Sequence, residues 1–172
     1  MNVIKKIFLT VNIFAITFCF LGATLKSTSN LQEQHSTKLY RNNFFNVSLE
    51  YNSEWKPNPN YTEKYEGKDG FFQVSAYNGE NLKIDEIAKI ESSHSLKPYG
   101  SNPKITELVI QGQEARLIMP SNDQSQAFNN QAELLVKYPK EIKVDDNIYY
   151  YFILWADKYN IQEISKTLKF LS

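Results

Sequence analysis

The chain has 172 residues, 19 Lys and Arg against 19 Asp and Glu, 42% hydrophobic and 14% aromatic residues, and one cysteine. Zero formal net charge removes the basic footprint that nucleic-acid binding requires, a single thiol excludes an intrachain disulfide scaffold, and 11 Phe, 11 Tyr and 2 Trp give more buryable surface than a disordered chain carries. The length fits one ordinary domain and a short additional segment.

The first 23 residues read as an export signal. Lys5 and Lys6 precede Ile7 to Ala23, a run without charge that only Thr10, Asn12 and Thr17 interrupt, which is the order of the n-region and h-region of a secretory signal. Seventeen helical residues reach about 25 Å, short of the roughly 30 Å hydrocarbon core, so residues 1–23 are expected to be a signal peptide or else an N-terminal membrane anchor, with the lysines on the inner side. Phe18 before Cys19 argues against lipidation of that thiol. If the signal is removed, the chain loses Cys19 as well. Residues 24–38 are polar without an apolar period and read as a tether, and His35 in it reads as a solvated side chain.

Residues 39–172 read as the domain. Phe45, Val47, Leu49 and Tyr51 alternate with Asn46, Ser48 and Glu50 in a strand with one buried face. Two prolines then break Asn52 to Asn60. The turn Gly67-Lys-Asp-Gly70 leads into a strand over Phe71 to Ala76. Ile84, Ile87 and Ala88 at helical spacing, with Asp85 and Glu86 at the start, predict a short helix to about Ser93, and His94 is placed to cap its last carbonyls or to lie on the surface. Leu108–Ile110 and Ala115–Met119 flank a turn at Gln111-Gly112-Gln113. Pro120 closes that hairpin, and residues 121–130 read as an exposed loop. Ala132, Leu134, Val136 and Tyr138 alternate with polar residues in a strand that Pro139 is expected to end. Ile148 to Ala156 is a continuous apolar run, hence a central strand covered on both faces. Ile161, Ile164, Leu168 and Leu171 predict a closing helix, capped by Asn160 with Glu163. The expected fold class is α+β, a mostly antiparallel sheet of about six strands covered by two helices.

Taken together, Phe45-Asn-Val-Ser-Leu-Glu-Tyr51 with Trp55 after it, a Gly-rich hairpin, a short helix, Ile110-x-Gly112-x-x-Ala115, a long strand and Ile164-x-x-Thr167-Leu-x-Phe170 resemble the PsbP-like (Mog-type) α/β/α sandwich. Tyr65-Glu-Gly-Lys-Asp-Gly-Phe-Phe72, Leu96-Lys-Pro-Tyr-Gly100, Gly112 to Pro120 and Tyr151 to Lys158 are similar to stretches in small exported domains of low-GC Gram-positive bacteria, some of them attached to BlaR-type membrane metallopeptidase receptors. The resemblance implies a partner-binding domain outside the membrane and carries no established chemistry.

The residues themselves argue against several chemistries. Ser53-Glu-Trp-Lys56 and Ser101-Asn-Pro-Lys104 match Ser-x-x-Lys, but prolines spoil the helix that this motif opens. Two separate histidines do not make a zinc peptidase site, and no metal or cofactor is expected. Asp85-Glu86 reads as helix-start chemistry and Asp145-Asp146 as a turn. The aromatic surplus leaves a possible binding face of Trp55, Tyr65, Phe71, Tyr99 and Trp155, with Arg116 and Asp157 as the charged residues flanking apolar strands. The leading expectation is an exported, non-enzymatic domain that binds a protein partner or ligand at the outer face of the membrane, anchored there through the N-terminal segment if that segment is retained. The alternatives are a hydrolase of envelope substrates using His94 or clustered acids, and a structural subunit of an envelope complex.

Overall fold

Alternating apolar residues on both faces of the longest strands require cover on both sides, and two different layers supply it. In the computed structural model, which describes residues 36–171, ten strands and two helices follow in the order β1 (Thr37–Asn42), β2 (Val47–Asn52), β3 (Lys56–Pro57), β4 (Lys64–Gly67), β5 (Gly70–Tyr77), α1 (Ile84–Ser92), β6 (Lys104–Ile110), β7 (Gln113–Met119), β8 (Gln131–Val144), β9 (Asn147–Asp157), α2 (Ile161–Thr167) and β10 (Lys169–Phe170). They belong to one compact unit, Gln34–Ser172. The expected signal or anchor at 1–23, with Cys19, and the tether as far as His35 lie outside the described residues. Among the described residues no helix is long and apolar enough to cross a membrane.

Seven strands form one antiparallel sheet in the order β3-β4-β5-β9-β8-β7-β6, and three form a second in the order β1-β2-β10. This corrects the expected α+β sheet of about six strands covered by two helices: the protein is mostly β, and a sheet rather than a helix supplies much of the cover. On one face of the large sheet Phe72, Val74, Ala115, Leu117, Ala132, Leu134, Val136, Phe152 and Leu154 pack with Val47, Leu49 and Tyr51 of the small sheet and with Ile161, Ile164 and Leu168. On the other face Ile118, Leu135, Tyr151 and Ile153 pack with Ile84, Ile87 and Ala88 of α1 and with Tyr99. The two-faced burial of β9 therefore follows its apolar run.

Four local expectations also change. Pro139 does not end β8, because the register of the β8–β9 ladder shifts between Lys137 and Ile142; at such an irregularity a proline withholds no ladder hydrogen bond. The closing helix stops at Thr167. Leu168 turns extended, Lys169 and Phe170 pair with Ser48 and Val47, and the Leu171 N–H donates to the Asn46 carbonyl at 2.8 Å. Asn160 makes no side-chain cap on α2, since its amide is drawn to the Asp157 carboxylate at 2.8 and 3.0 Å. Thr37 and Lys38, read as tether, open β1, which pairs with β2 over six residues. The turn between β6 and β7 is as tight as its sequence implies: Gln111 and Gly112 both have positive φ, 51° and 76°, the requirement of a two-residue turn of the mirror-image type.

Candidate functional site

Glu133 sits on β8 directly opposite Trp155 of β9. Since side chains alternate across a strand, both project to the α1 side of the large sheet, where Leu135 and Ile153 also lie. The segment after α1 brings Tyr99 onto the same spot, so Glu133 is fully buried and Tyr99 is 1% exposed. The Tyr99 hydroxyl donates to Glu133 Oε2, and Trp155 Nε1 lies 2.9 Å from that oxygen and 3.2 Å from the Tyr99 hydroxyl. Among the described residues Glu133 Oε1 has no hydrogen-bond partner. Burial is the main reason that the Glu133 carboxyl is pushed up to about 7, and the charge of Glu91 adds to it; the bonds from Tyr99 and Trp155 pull the other way without reversing it. Desolvation disfavours the carboxylate. Burial and the neighbouring carboxylate likewise drive the Tyr99 phenol far above its ordinary value, so it stays a donor. Glu133 and Tyr99 are buried and cannot touch a substrate as they stand, while Trp155 is half-buried. Together they tie the 99 segment to the sheet and hold a proton near neutral pH.

On the neighbouring strand β7, Arg116 faces the same side. Its Nε donates to Asp85 Oδ1 of α1 at 2.6 Å, with the Arg116 side chain 8% and the Asp85 side chain 66% exposed; Nη1 donates to the Ala115 carbonyl at 2.9 Å. The bond to Asp85, and the charges of Glu107 and Glu114, favour the guanidinium. Arg116 thus pins the start of α1 to the sheet, while the Glu86 carboxylate accepts from the Lys83 N–H at 2.7 Å. The acidic pair is helix-start chemistry.

The remaining residues singled out in the sequence meet at the opposite edge. Trp55 is 1% exposed and donates from Nε1 to Asp69 Oδ1 at 2.7 Å. Tyr65 is half-buried and stacks on Phe72, with centroids 5.1 Å apart. Phe71 is buried, with Lys64 Nζ 5.0 Å from its ring centre, and its N–H donates to Asp157 Oδ2 at 3.3 Å. Asp157, also buried, accepts from the Tyr159 N–H at 3.1 Å and from Asn160. Gly70 makes room for this knot, since a Cβ there would fall 2.2 Å from Asp157 Oδ2. The seven residues therefore do not form one exposed aromatic face; Tyr99 and Trp155 come together on Glu133, and Trp55, Phe71 and Asp157 gather around the β4–β5 turn. His94 is exposed, and its Nδ1 accepts from the Leu96 N–H at 3.2 Å instead of capping α1. Asp145 and Asp146 occupy the β8–β9 turn. Among the described residues no cluster of three or more His, Cys, Asp or Glu could hold a metal ion.

The accessible feature is the outer edge of β6. Among the described residues this strand ends the large sheet, and it pairs with β7 over seven consecutive residues without a register shift. It carries no proline, and Lys104 at its start and Glu107 are its charges. Ile105 is 40% and Val109 73% exposed. Natural sheets usually protect such an edge with bulges, prolines or inward charges. A scan against protein-family models finds no match for this chain, and a search of curated proteins finds no relative.

Proposed function

We propose that this protein is an exported, non-enzymatic domain that binds a protein partner at the outer face of the membrane, taking up an extended segment of that partner along the open edge of β6. The observation that carries the reading is the regular seven-residue edge with Ile105 and Val109 exposed on it. Main-chain groups on such an edge supply affinity, and the alternate side chains supply selectivity. Export rests on Lys5, Lys6 and the apolar run Ile7 to Ala23. Kinship with PsbP-like domains is proposed on Phe45 to Tyr51 with Trp55, Ile110-x-Gly112-x-x-Ala115 and Ile164-x-x-Thr167-Leu-x-Phe170, and on the four stretches similar to small exported domains, without the α/β/α architecture.

The test is capture from membranes by the full chain, signal segment included, in parallel with a double variant Ile105→Lys, Val109→Lys. An envelope protein retained by the wild type and lost from a variant of unchanged melting temperature supports the reading. Equal retention by both chains refutes the β6 edge, and fractionation of the chain with the cytoplasm refutes export.

A further inference from the structure

The proposed edge also carries a charge pattern, and it points to a particular kind of partner segment. Ile105, Glu107 and Val109 alternate onto the α1 side of the sheet, opposite Ile118, Arg116 and Glu114 of β7. All three β6 residues are exposed. Around the one guanidinium of Arg116 stand three carboxylates, Asp85, Glu107 and Glu114, and Arg116 spends its Nε bond on Asp85. Among the described residues no ion pair engages Glu107 or Glu114. The outer lane of this face is therefore apolar, acidic, apolar, with a second carboxylate beside Val109.

A strand added to β6 places its own side chains opposite these three. Directly opposed like charges destabilise a sheet pair, and opposite charges stabilise it. Antiparallel pairing of β6 with a second copy of itself over its full length sets Glu107 against Glu107, so self-association is disfavoured. Resting on the reading of the β6 edge as the docking site, we infer that the occupant is an extended segment of another protein in which a Lys or Arg stands between two apolar residues at alternate positions, the basic side chain lying against Glu107 and the apolar ones against Ile105 and Val109.

The experiment uses the full chain and fluorescently labelled peptides of the form Val-Thr-Lys-Thr-Val and Val-Thr-Glu-Thr-Val, each lengthened equally with Thr at both ends. Fluorescence anisotropy measures their binding to the wild type and to Glu107→Lys. The expected result is tighter binding of the Lys peptide to the wild type, by about threefold or more, and reversal of that preference by Glu107→Lys. Peptides N-methylated at alternate nitrogens separate the two levels of the reading: strand addition requires that methylation in one frame abolish binding and in the other frame spare it. Frame dependence without charge preference overturns the basic-segment inference and leaves the docking edge standing. Binding that ignores the frame, or no binding of any peptide, overturns both. A wild-type chain that sediments as a dimer, and as a monomer after Val109→Lys, overturns the inference in favour of a second copy.

Discussion

Replacing Glu133 by Gln removes a buried titratable group while keeping an acceptor for Tyr99 and Trp155. In the wild type the carboxyl is raised from its ordinary 4.5 to about 7, chiefly by burial. Well below pH 4.5 it is neutral in both the folded and the unfolded chain, and its titration contributes nothing. As the pH climbs from there towards 7, the unfolded chain releases the proton and the folded chain resists, so the wild type loses stability. Once both states are ionised the loss is complete, at about 3 kcal/mol. The Glu133→Gln variant does not titrate there. Its new amide nitrogen falls at the position of Oε1, which lacks a partner among the described residues, and that costs about 1–3 kcal/mol at every pH. Urea denaturation of both chains between about pH 4 and about pH 8 is expected to show the stability difference moving in favour of Glu133→Gln by about 3 kcal/mol over that range, whatever its constant offset. Contributions from all other titrating groups cancel in the difference. A difference that stays flat refutes the claim that Glu133 is held neutral by burial.

Tyr99→Phe removes a donor that opposes the rise of the Glu133 carboxyl; we expect a loss of about 1–3 kcal/mol in denaturant unfolding and a titration of Glu133, followed by NMR of its side-chain carboxyl carbon, displaced to still higher pH. Gly70→Ala drives a Cβ into Asp157 and Asn160 and is expected to lower stability by about 2–4 kcal/mol, read as a drop in thermal midpoint; an unchanged midpoint denies the knot its role. The Asp85 carboxyl is lowered by its bond from Arg116. Its contribution is therefore full above the ordinary value of 3.8 and is lost as the pH falls through the lower folded value. The melting temperatures of the wild type and Asp85→Asn are expected to differ at neutral pH and to converge in acid.

Strands with one clear apolar row were legible from alternation: β2 buries Val47, Leu49 and Tyr51, β5 buries Phe72 and Val74, and the first half of β8 buries Ala132, Leu134, Val136 and Tyr138, whereas β7 was marked only by its hairpin turn. What escaped was structure without a hydrophobic signal. In β1 only Tyr40 is buried, so its polar residues offered no period to read, and without β1 and β10 the small sheet could not be foreseen. The end of the chain misled for the opposite reason. Ile161, Ile164 and Leu168 have helical spacing, yet Leu168 reaches the same core from an extended backbone. The aromatic surplus, read as a binding face, goes largely into joining the two sheets: the rings of Tyr40, Tyr51, Tyr65 and Phe72 lie 5.1 to 5.6 Å apart in that interface. Glu133 was missed because it falls on the polar side of an alternating strand. A signal was present, since β9 is apolar on both faces, and its neighbour in the sheet must then share the cover on both. The β6 edge was half visible as Leu108–Ile110; the exposed residues that make it accessible begin four positions earlier, at Lys104.

The pairing of β10 with β2 also bears on when the protein can finish folding. Val47 and Ser48 are made early and wait for Lys169 and Phe170, so the second edge of β2 stays open while the intervening chain emerges. Closing so long a loop is slow, and until it closes the open strand is offered to whatever lies near the growing chain. A chain kept unfolded until residue 170 has emerged avoids that exposure; one that stalls before it presents a ready template for aggregation.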